Sequence, residues 1–198
     1  MCPARASEPD GSAAAARGAG EAECGHLHVD WEQYYRLIER LAVIVHESGY
    51  AFDSLVCLAR GGMRVGDVLS RVFEVPLAIL ATSSYREDGG TVAGELDIAD
   101  DITSTGGEPW GRVLLVDDLV DSGNTLERVA EHLRGGFPMI EEIRSAVIWF
   151  KASSSVAPDY YVEHLAGNPW IHQPFERYDR LRPADLVREA AERTPGGN

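Results

Sequence analysis

The sequence predicts an α/β protein built on a parallel sheet with helices on both faces. Three observations carry that reading. The runs 54–59 (SLVCLA) and 113–116 (VLLV) are short and almost wholly apolar, as strands covered on both faces are. Each is followed by a polar loop with glycine and then by a helix-period segment, the alternation of a parallel α/β sheet. Both loops, 59–62 and 117–125, leave C-terminal strand ends, where such sheets bind ligands.

The elements follow in order. Residues 1–25 read as a disordered tail: 11–20 is almost entirely Ala, Gly, Ser and Arg, with nothing large to bury against the entropy of ordering. Asp30 is a good N-cap. Tyr34, Leu37, Ile38, Leu41, Ile44 and Val45 follow at helical spacing, and Gly49 closes the run. Strand 54–59 ends in Arg60-Gly61-Gly62, and a helix starts near Met63. A second apolar strand covers 75–81, with Pro76 near its start. The polar stretch 83–111 holds Gly-Gly at 89–90 and 106–107 and a weak strand at 91–98, the pattern of a mobile hairpin or flap. Strand 113–116 precedes the acidic loop. Leu126, Val129, Ala130 and Leu133 then mark one helical face. Strands are expected at 143–150 and, more weakly, 160–162. Pro183 is placed to start a last helix.

The chain has 198 residues, of which 44% are apolar and 25% charged, enough for one domain with a sizeable core. Thirty-two acids against 18 bases leave a net charge of −14. A nucleic-acid or anionic-membrane binder needs a basic face, so neither nucleic acid nor membrane insertion is expected. Cys2, Cys24 and Cys57 form no C-x-x-C pair, which supports neither a zinc site nor a disulfide framework. A cytoplasmic location follows as the expectation. No apolar run approaches the ~18 residues of a membrane span, and the N-terminus lacks the apolar segment of a secretory signal.

The segment 113–125 (VLLVDDLVDSGNT) is the most informative. An apolar strand delivers Asp117 and Asp118 to its end. A short turn then points backbone N–H groups and the Ser122 and Thr125 hydroxyls at one place, ahead of a helix N-terminus, which makes a phosphate cradle. Ribose hydroxyls and a Mg²⁺ ion would reconcile carboxylates with a phosphate. An acidic turn capping the next helix through Asp121 or Ser122 has the same spacing. The D-D-x-x-D motif of isoprenoid synthases does not fit, because a strand precedes this one and Gly123 interrupts it. Residues 61–66 lack the Lys-Ser/Thr of a P-loop.

This segment resembles the phosphoribosyl pyrophosphate (PRPP) motif of type I phosphoribosyltransferases: four apolar residues, two acids, two apolar residues, then D-S/T-G-x-T. Further segments narrow the resemblance to bacterial xanthine-guanine and hypoxanthine phosphoribosyltransferases. Residues 58–66 (LARGGMRVG) resemble the pyrophosphate loop, with Ala59, Arg60 and Gly61 at its centre. In the family the peptide equivalent to Ala59–Arg60 is often cis. Ser83-Ser84-Tyr85 resembles the start of the catalytic flap. Lys151, ending a strand, resembles the lysine that donates to the purine 6-oxygen. Residues 170–176 (WIHQPFE) resemble the W-I-x-Q-P-W of the purine-binding end. Ser122, Asn124 and Phe175 stand where Thr, Gly and Trp are commoner.

The resemblance implies the type I phosphoribosyltransferase fold over 26–182, with a flap and a small hood for the base, and a C-terminal helix and tail at 183–198. It implies Mg²⁺-dependent transfer of a phosphoribosyl group from PRPP to a purine base of the 6-oxo type, with release of pyrophosphate. PRPP would be bound by Ala59, Arg60, Gly61, Asp117, Asp118, Asp121, Ser122, Gly123, Asn124 and Thr125. Asp117 and Asp118 would hold the ribose hydroxyls and the metal, and Asp121 would be the catalytic base. Lys151, Trp170 and Ile171 would bind the purine. A homo-oligomer, dimer or tetramer, is expected on the same ground. The alternatives are a regulator of this fold that binds PRPP or nucleotides without turnover, and an enzyme using adenine, orotate or uracil.

Overall fold

A computed structural model describes residues 25–84 and 96–193. The expected tail at 1–24, Tyr85 and the start of the weak strand at 91–95 lie outside the described residues. Helix α1 (Trp31–Glu47) begins at Asp30, whose Oδ1 accepts from the Gln33 amide at 2.8 Å, while the Gln33 side chain accepts from the Asp30 amide at 3.0 Å. This reciprocal cap satisfies two orphan donors of the first turn. The apolar spacing then buries Tyr34, Ile38, Leu41, Ala42 and Val45.

The remaining elements alternate as the sequence predicts: β2 (Ser54–Ala59), α2 (Met63–Phe73), β3 (Leu77–Ser84), β4 (Leu96–Ser104), β5 (Gly111–Val116), α3 (Asn124–Gly136), β7 (Ile140–Lys151), β8 (Tyr160–Leu165) and α5 (Pro183–Arg193). Four short elements carry too little pattern to be seen in advance: β1 (His26–His28), β6 (Leu119–Val120), β9 (Trp170–His172) and α4 (Arg177–Arg180). The main sheet runs β4-β3-β2-β5-β7-β6, with β8 also on β7, and every pairing is parallel except β3–β4. The antiparallel β4 lies later than the weak strand expected at 91–98, because its pairing with β3 runs from Ser84 opposite Leu96 to Ala78 opposite Ser104, and most of β3 precedes the 83–111 stretch.

Strand alternation divides the core. Leu55, Cys57, Leu114, Val116, Ala146 and Ile148 face α1 and α2. Val56, Leu58, Val113, Leu115 and Val147 face α3, against Leu126, Val129 and Leu133. Burial on both faces explains why β2 and β5 read as unbroken apolar runs. Strands β1 and β9 pair in a separate two-stranded sheet, with Leu27 opposite Ile171. Helix α5 buries no residue of its own; Arg177 of α4 holds it through Glu189 at 2.9 Å. No described helix is long and apolar enough to cross a membrane.

The core also sets a limit at high pH. Burial pushes the Cys57 thiol up to about 12 and raises the Tyr34 and Tyr50 hydroxyls as well. These groups keep their protons in the folded chain after the unfolded chain has lost them, so they favour folding at low and neutral pH. Stability falls as pH climbs through the unfolded values toward the folded ones. Melting temperature should therefore drop steadily above pH 9. In a Cys2→Ser/Cys24→Ser background, a thiol reagent at pH 8 should leave Cys57 unmodified until denaturant is added.

Candidate active site

The site forms where two loops leave neighbouring strands, β2 and β5. Past Val116 the chain makes a turn at Asp117-Asp118 and returns to the sheet as β6. The Asp117 amide donates to the Ala146 carbonyl at 3.2 Å, and the Asp118 carbonyl accepts from the Ile148 and Trp149 amides at 3.0 and 3.2 Å. The two acids are thereby fixed to β7. Asp117 Oδ1 accepts from the Asp118 amide at 2.9 Å, and Asp118 Oδ1 from the Leu119 amide at 2.8 Å.

The loop after β2 packs directly against this turn. A Cβ at Gly61 would lie 2.5 Å from Asp118 Oδ1, and one at Gly62 2.5 Å from the Val116 carbonyl. Only glycine permits that approach. The Ala59–Arg60 peptide is cis, as the resemblance implied. The exposed Arg60 guanidinium stands 3.7 Å from Asp179 of α4. Its solvated setting makes the pair worth little to stability.

Asp118 is buried, and Gln173 Nε2 donates to its Oδ2 at 2.5 Å. Gln173 is itself buried, and its Oε1 has no partner among the described residues. Burial raises both carboxyls, and for Asp117 the neighbouring Asp118 charge raises it further. Neither acid has an ion-pair partner among the described residues. Two desolvated carboxylates of like charge are a standing invitation to a cation.

Beyond β6, Gly123 takes φ +88° and leads into α3 with no side-chain cap. The reading of Asp121 or Ser122 as a cap is thus corrected: Ser122 Oγ reaches only the Asn124 amide, at 3.4 Å, and the Asp121 carboxylate turns elsewhere. First-turn amides of α3 have no intrahelical partners, as at any helix start, where an anion is favoured.

These parts line one cavity of about 1040 Å³. Of the expected PRPP residues, Ala59, Arg60, Gly61, Asp117, Asp118, Asp121, Ser122, Gly123 and Thr125 border it, and Asn124 does not. Thr82 and Leu96, at the described base of the β3–β4 hairpin, border it too, beside Ser83, which pairs with Asp97, and Ser84, which pairs with Leu96. Tyr35, Arg64, Phe175, Tyr178 and Asp179 close the other side. Sequence reasoning missed these except for noting Phe175, because α1, α2 and α4 reach the cavity only through tertiary packing. The Arg64 guanidinium lies 4.1 Å from the Phe175 ring centroid, a cation–π contact.

The expected purine-binding residues are arranged less simply. Lys151 is buried, and its Nζ lies 3.2 Å from Asp121 Oδ2. The parallel register brings them together: Leu119 pairs with Trp149 and Val120 with Phe150, so 121 follows beside 151. Trp170 is half-exposed on β9 and does not border the cavity. Ile171, next along β9, turns its side chain the opposite way, into the core cluster that holds Tyr34 and against which Phe175 packs, so only its backbone is open to a ligand. Among the described residues, no three His, Cys, Asp or Glu side chains converge as a metal-binding group.

Comparisons with known proteins show the family. The family model described as "Phosphoribosyl transferase domain" matches residues 29–180. The xanthine-guanine phosphoribosyltransferase of Idiomarina loihiensis is 28% identical over 151 residues, covering 76% of this chain and 86% of that protein. That of Desulfotalea psychrophila is 29% identical over 162 residues, covering 81% and 92%. The crystal structure of a purine phosphoribosyltransferase from Pyrococcus horikoshii is 32% identical, with a TM-score of 0.63 over 76% of this chain and 94% of that one.

The acid pair carries a stability cost that can be measured. A carboxyl raised in the folded state keeps a proton that the unfolded chain releases, so folding loses stability as pH rises from the ordinary carboxylate value through the raised one. At pH 7, without metal or PRPP, Asp117→Asn removes that cost. It should gain ~1 kcal/mol, or roughly 2–4 °C in melting temperature for a chain of this size. An unchanged or lower melting temperature would show that the pair is not strained by burial.

Proposed function

This chain belongs to the phosphoribosyl transferase family, and on that premise we propose that it transfers the phosphoribosyl group of PRPP to a 6-oxopurine, releasing pyrophosphate. It is an enzyme, a transferase; the purine is the finer part of the reading. The observation that carries the proposal is the shared cavity: the acid pair, the 121–125 cradle and the 59–61 loop border one space, and Lys151, itself outside that border, pairs with Asp121.

The cradle at 121–125 takes the 5′-phosphate on the α3 amides. Asp117 and Asp118 hold the ribose hydroxyls, and Arg60 with the backbone of Gly61 takes the diphosphate. Asp117 and Asp118 would hold Mg²⁺: they are hard oxygen donors, Asp118 buried and Asp117 half-buried, with no cation partner among the described residues. Bound there, Mg²⁺ neutralises charge on the diphosphate leaving group. Much of the rate then comes from positioning C1 against the purine. As the C1–oxygen bond breaks and the bond from C1 to the purine nitrogen forms, Asp121 takes the proton from purine N7.

Lys151 chooses the base. Its ammonium can donate to an oxygen at position 6 but meets a fellow donor in an amino group, so hypoxanthine, guanine and xanthine are favoured over adenine. Trp170, exposed on β9 but outside the cavity border, is assigned to stacking by the family resemblance alone, a contact worth ~1–3 kcal/mol by analogy with base–aromatic stacking. Ile171, its side chain buried in the core, is left to meet the base through its backbone.

Incubation with Mg²⁺ and PRPP against hypoxanthine, guanine, xanthine, adenine, orotate and uracil should give nucleotide from a 6-oxopurine alone. Product from adenine, orotate or uracil would move the acceptor. Silence across the panel with PRPP still bound would favour a regulator. Asp121→Asn should lower kcat by on the order of 10²–10⁴, and near-full turnover would remove it as the base. Chelation with EDTA should abolish turnover without changing the far-ultraviolet circular dichroism, and Mg²⁺ should restore it.

A further inference from the structure

We infer that Ser153 is a positioning residue for Asp121, and that the 153–155 loop holds Asp121 and the phosphate cradle by separate contacts. The inference rests on the reading of Asp121 as the base. Both Asp121 carboxylate oxygens are engaged: Oδ2 with Lys151 Nζ, and Oδ1 with Ser153 Oγ, each at 3.2 Å. The same hydroxyl lies 3.2 Å from the Asp121 carbonyl. One hydroxyl hydrogen shared between backbone and side chain of a single residue fixes that residue's rotamer.

The two contacts on the carboxylate have different fates. Lys151 must turn its ammonium toward the purine oxygen when the base binds, and Oδ2 then stands free to take the N7 proton. Ser153 has no such competing partner, so it keeps Oδ1 in place at that moment. The Asp121 side chain is half-exposed, and among the described residues no other side chain bonds its carboxylate once Lys151 has turned away. Without Ser153 the carboxylate can rotate, and displacement of a catalytic group by ~1 Å can cost on the order of 10²-fold.

The next residues support the cradle instead. The Ser155 amide and Oγ both donate to the Ser122 carbonyl at 3.1 Å. A Cβ at Gly123 would lie 2.7 Å from Ser154 Oγ, so the serine loop is packed against the turn that enters α3. Ser154 is tied within its own loop, its Oγ donating to the Val156 carbonyl at 2.7 Å. The loop therefore touches the base through 153 and the phosphate turn through 154 and 155.

The experiment is steady-state kinetics with PRPP and each of hypoxanthine, guanine and xanthine, on Ser153→Ala, Ser153→Thr, Ser155→Ala, Asp121→Asn and the Asp121→Asn/Ser153→Ala double variant. Ser153→Ala should lower kcat about tenfold with the PRPP KM unchanged, and Ser153→Thr, which keeps the hydroxyl, should recover most of it. Ser155→Ala should instead raise the PRPP KM a few-fold. On the Asp121→Asn background, Ser153→Ala should cost nothing further, since both changes act through one carboxylate. Three results overturn the inference while leaving the base in place: a crippled Asp121→Asn beside a Ser153→Ala within twofold of wild type, no rescue by threonine, or an undiminished loss in the double variant. A wild-type rate in Asp121→Asn alone removes the base itself and Ser153's role with it. A crystal structure of Ser153→Ala with a 6-oxopurine nucleotide bound gives a readout independent of turnover: with Lys151 turned to the purine oxygen, the Asp121 carboxylate should leave the position it holds in the wild-type complex, and an unmoved carboxylate overturns the inference.

Discussion

The long edge of β7 is the constraint on which the site depends. Its first half pairs with β5 and its last residues pair with β6 along the same edge, while β8 occupies the other. Chain leaving β5 must therefore turn and rejoin within a few residues, and that turn is where Asp117 and Asp118 sit, their backbone held by Ala146, Ile148 and Trp149. The second pairing then carries Asp121 to the side of Lys151. A slip of one residue in a strand sends its side chains to the opposite face. The acid pair, the candidate base and the base-reading lysine are thus placed by one set of backbone hydrogen bonds.

That placement answers how a chain with net charge −14 can hold a polyanionic substrate. Under the proposed function the anion would be met by groups that do not depend on net charge: the amides at the start of α3, the backbone of a glycine loop, and a cation on the acid pair. Burial makes those acids costly to ionise, and the close packing of Gly61 on Asp118 keeps them where they are. Instability at a site bound for a charged ligand is the common trade of function against folding free energy.

The Asp121 surroundings show the same economy on a smaller scale. An ion pair with Lys151 keeps both charges partnered before substrate arrives, at a buried end of a strand where an unpaired ammonium would be expensive. The hydroxyl of Ser153 adds direction without adding charge. Gln173 does comparable work for Asp118, reaching across from the segment after β9 and so tying that segment to the acid turn.

Sequence alone determined the alternation of strands and helices, the two ligand loops, the start of α1 at Asp30 and of α5 at Pro183, and the acid-and-cradle segment. Each of these is written in consecutive residues: an apolar run, a cap, a turn with glycine. It could not display β1, β6 or β9, which are two or three residues long and exist only through their partners. Nor could it display Tyr35, Arg64, Tyr178 and Asp179 at the cavity, since no local pattern tells which exposed residue of a helix will meet a loop from another strand. The pairing of Asp121 with Lys151, thirty positions apart, the Ser153 contact and the burial of Ile171 were decided by the tertiary structure. They follow from strand register and from which sheet face is covered, and both are properties of the packed whole.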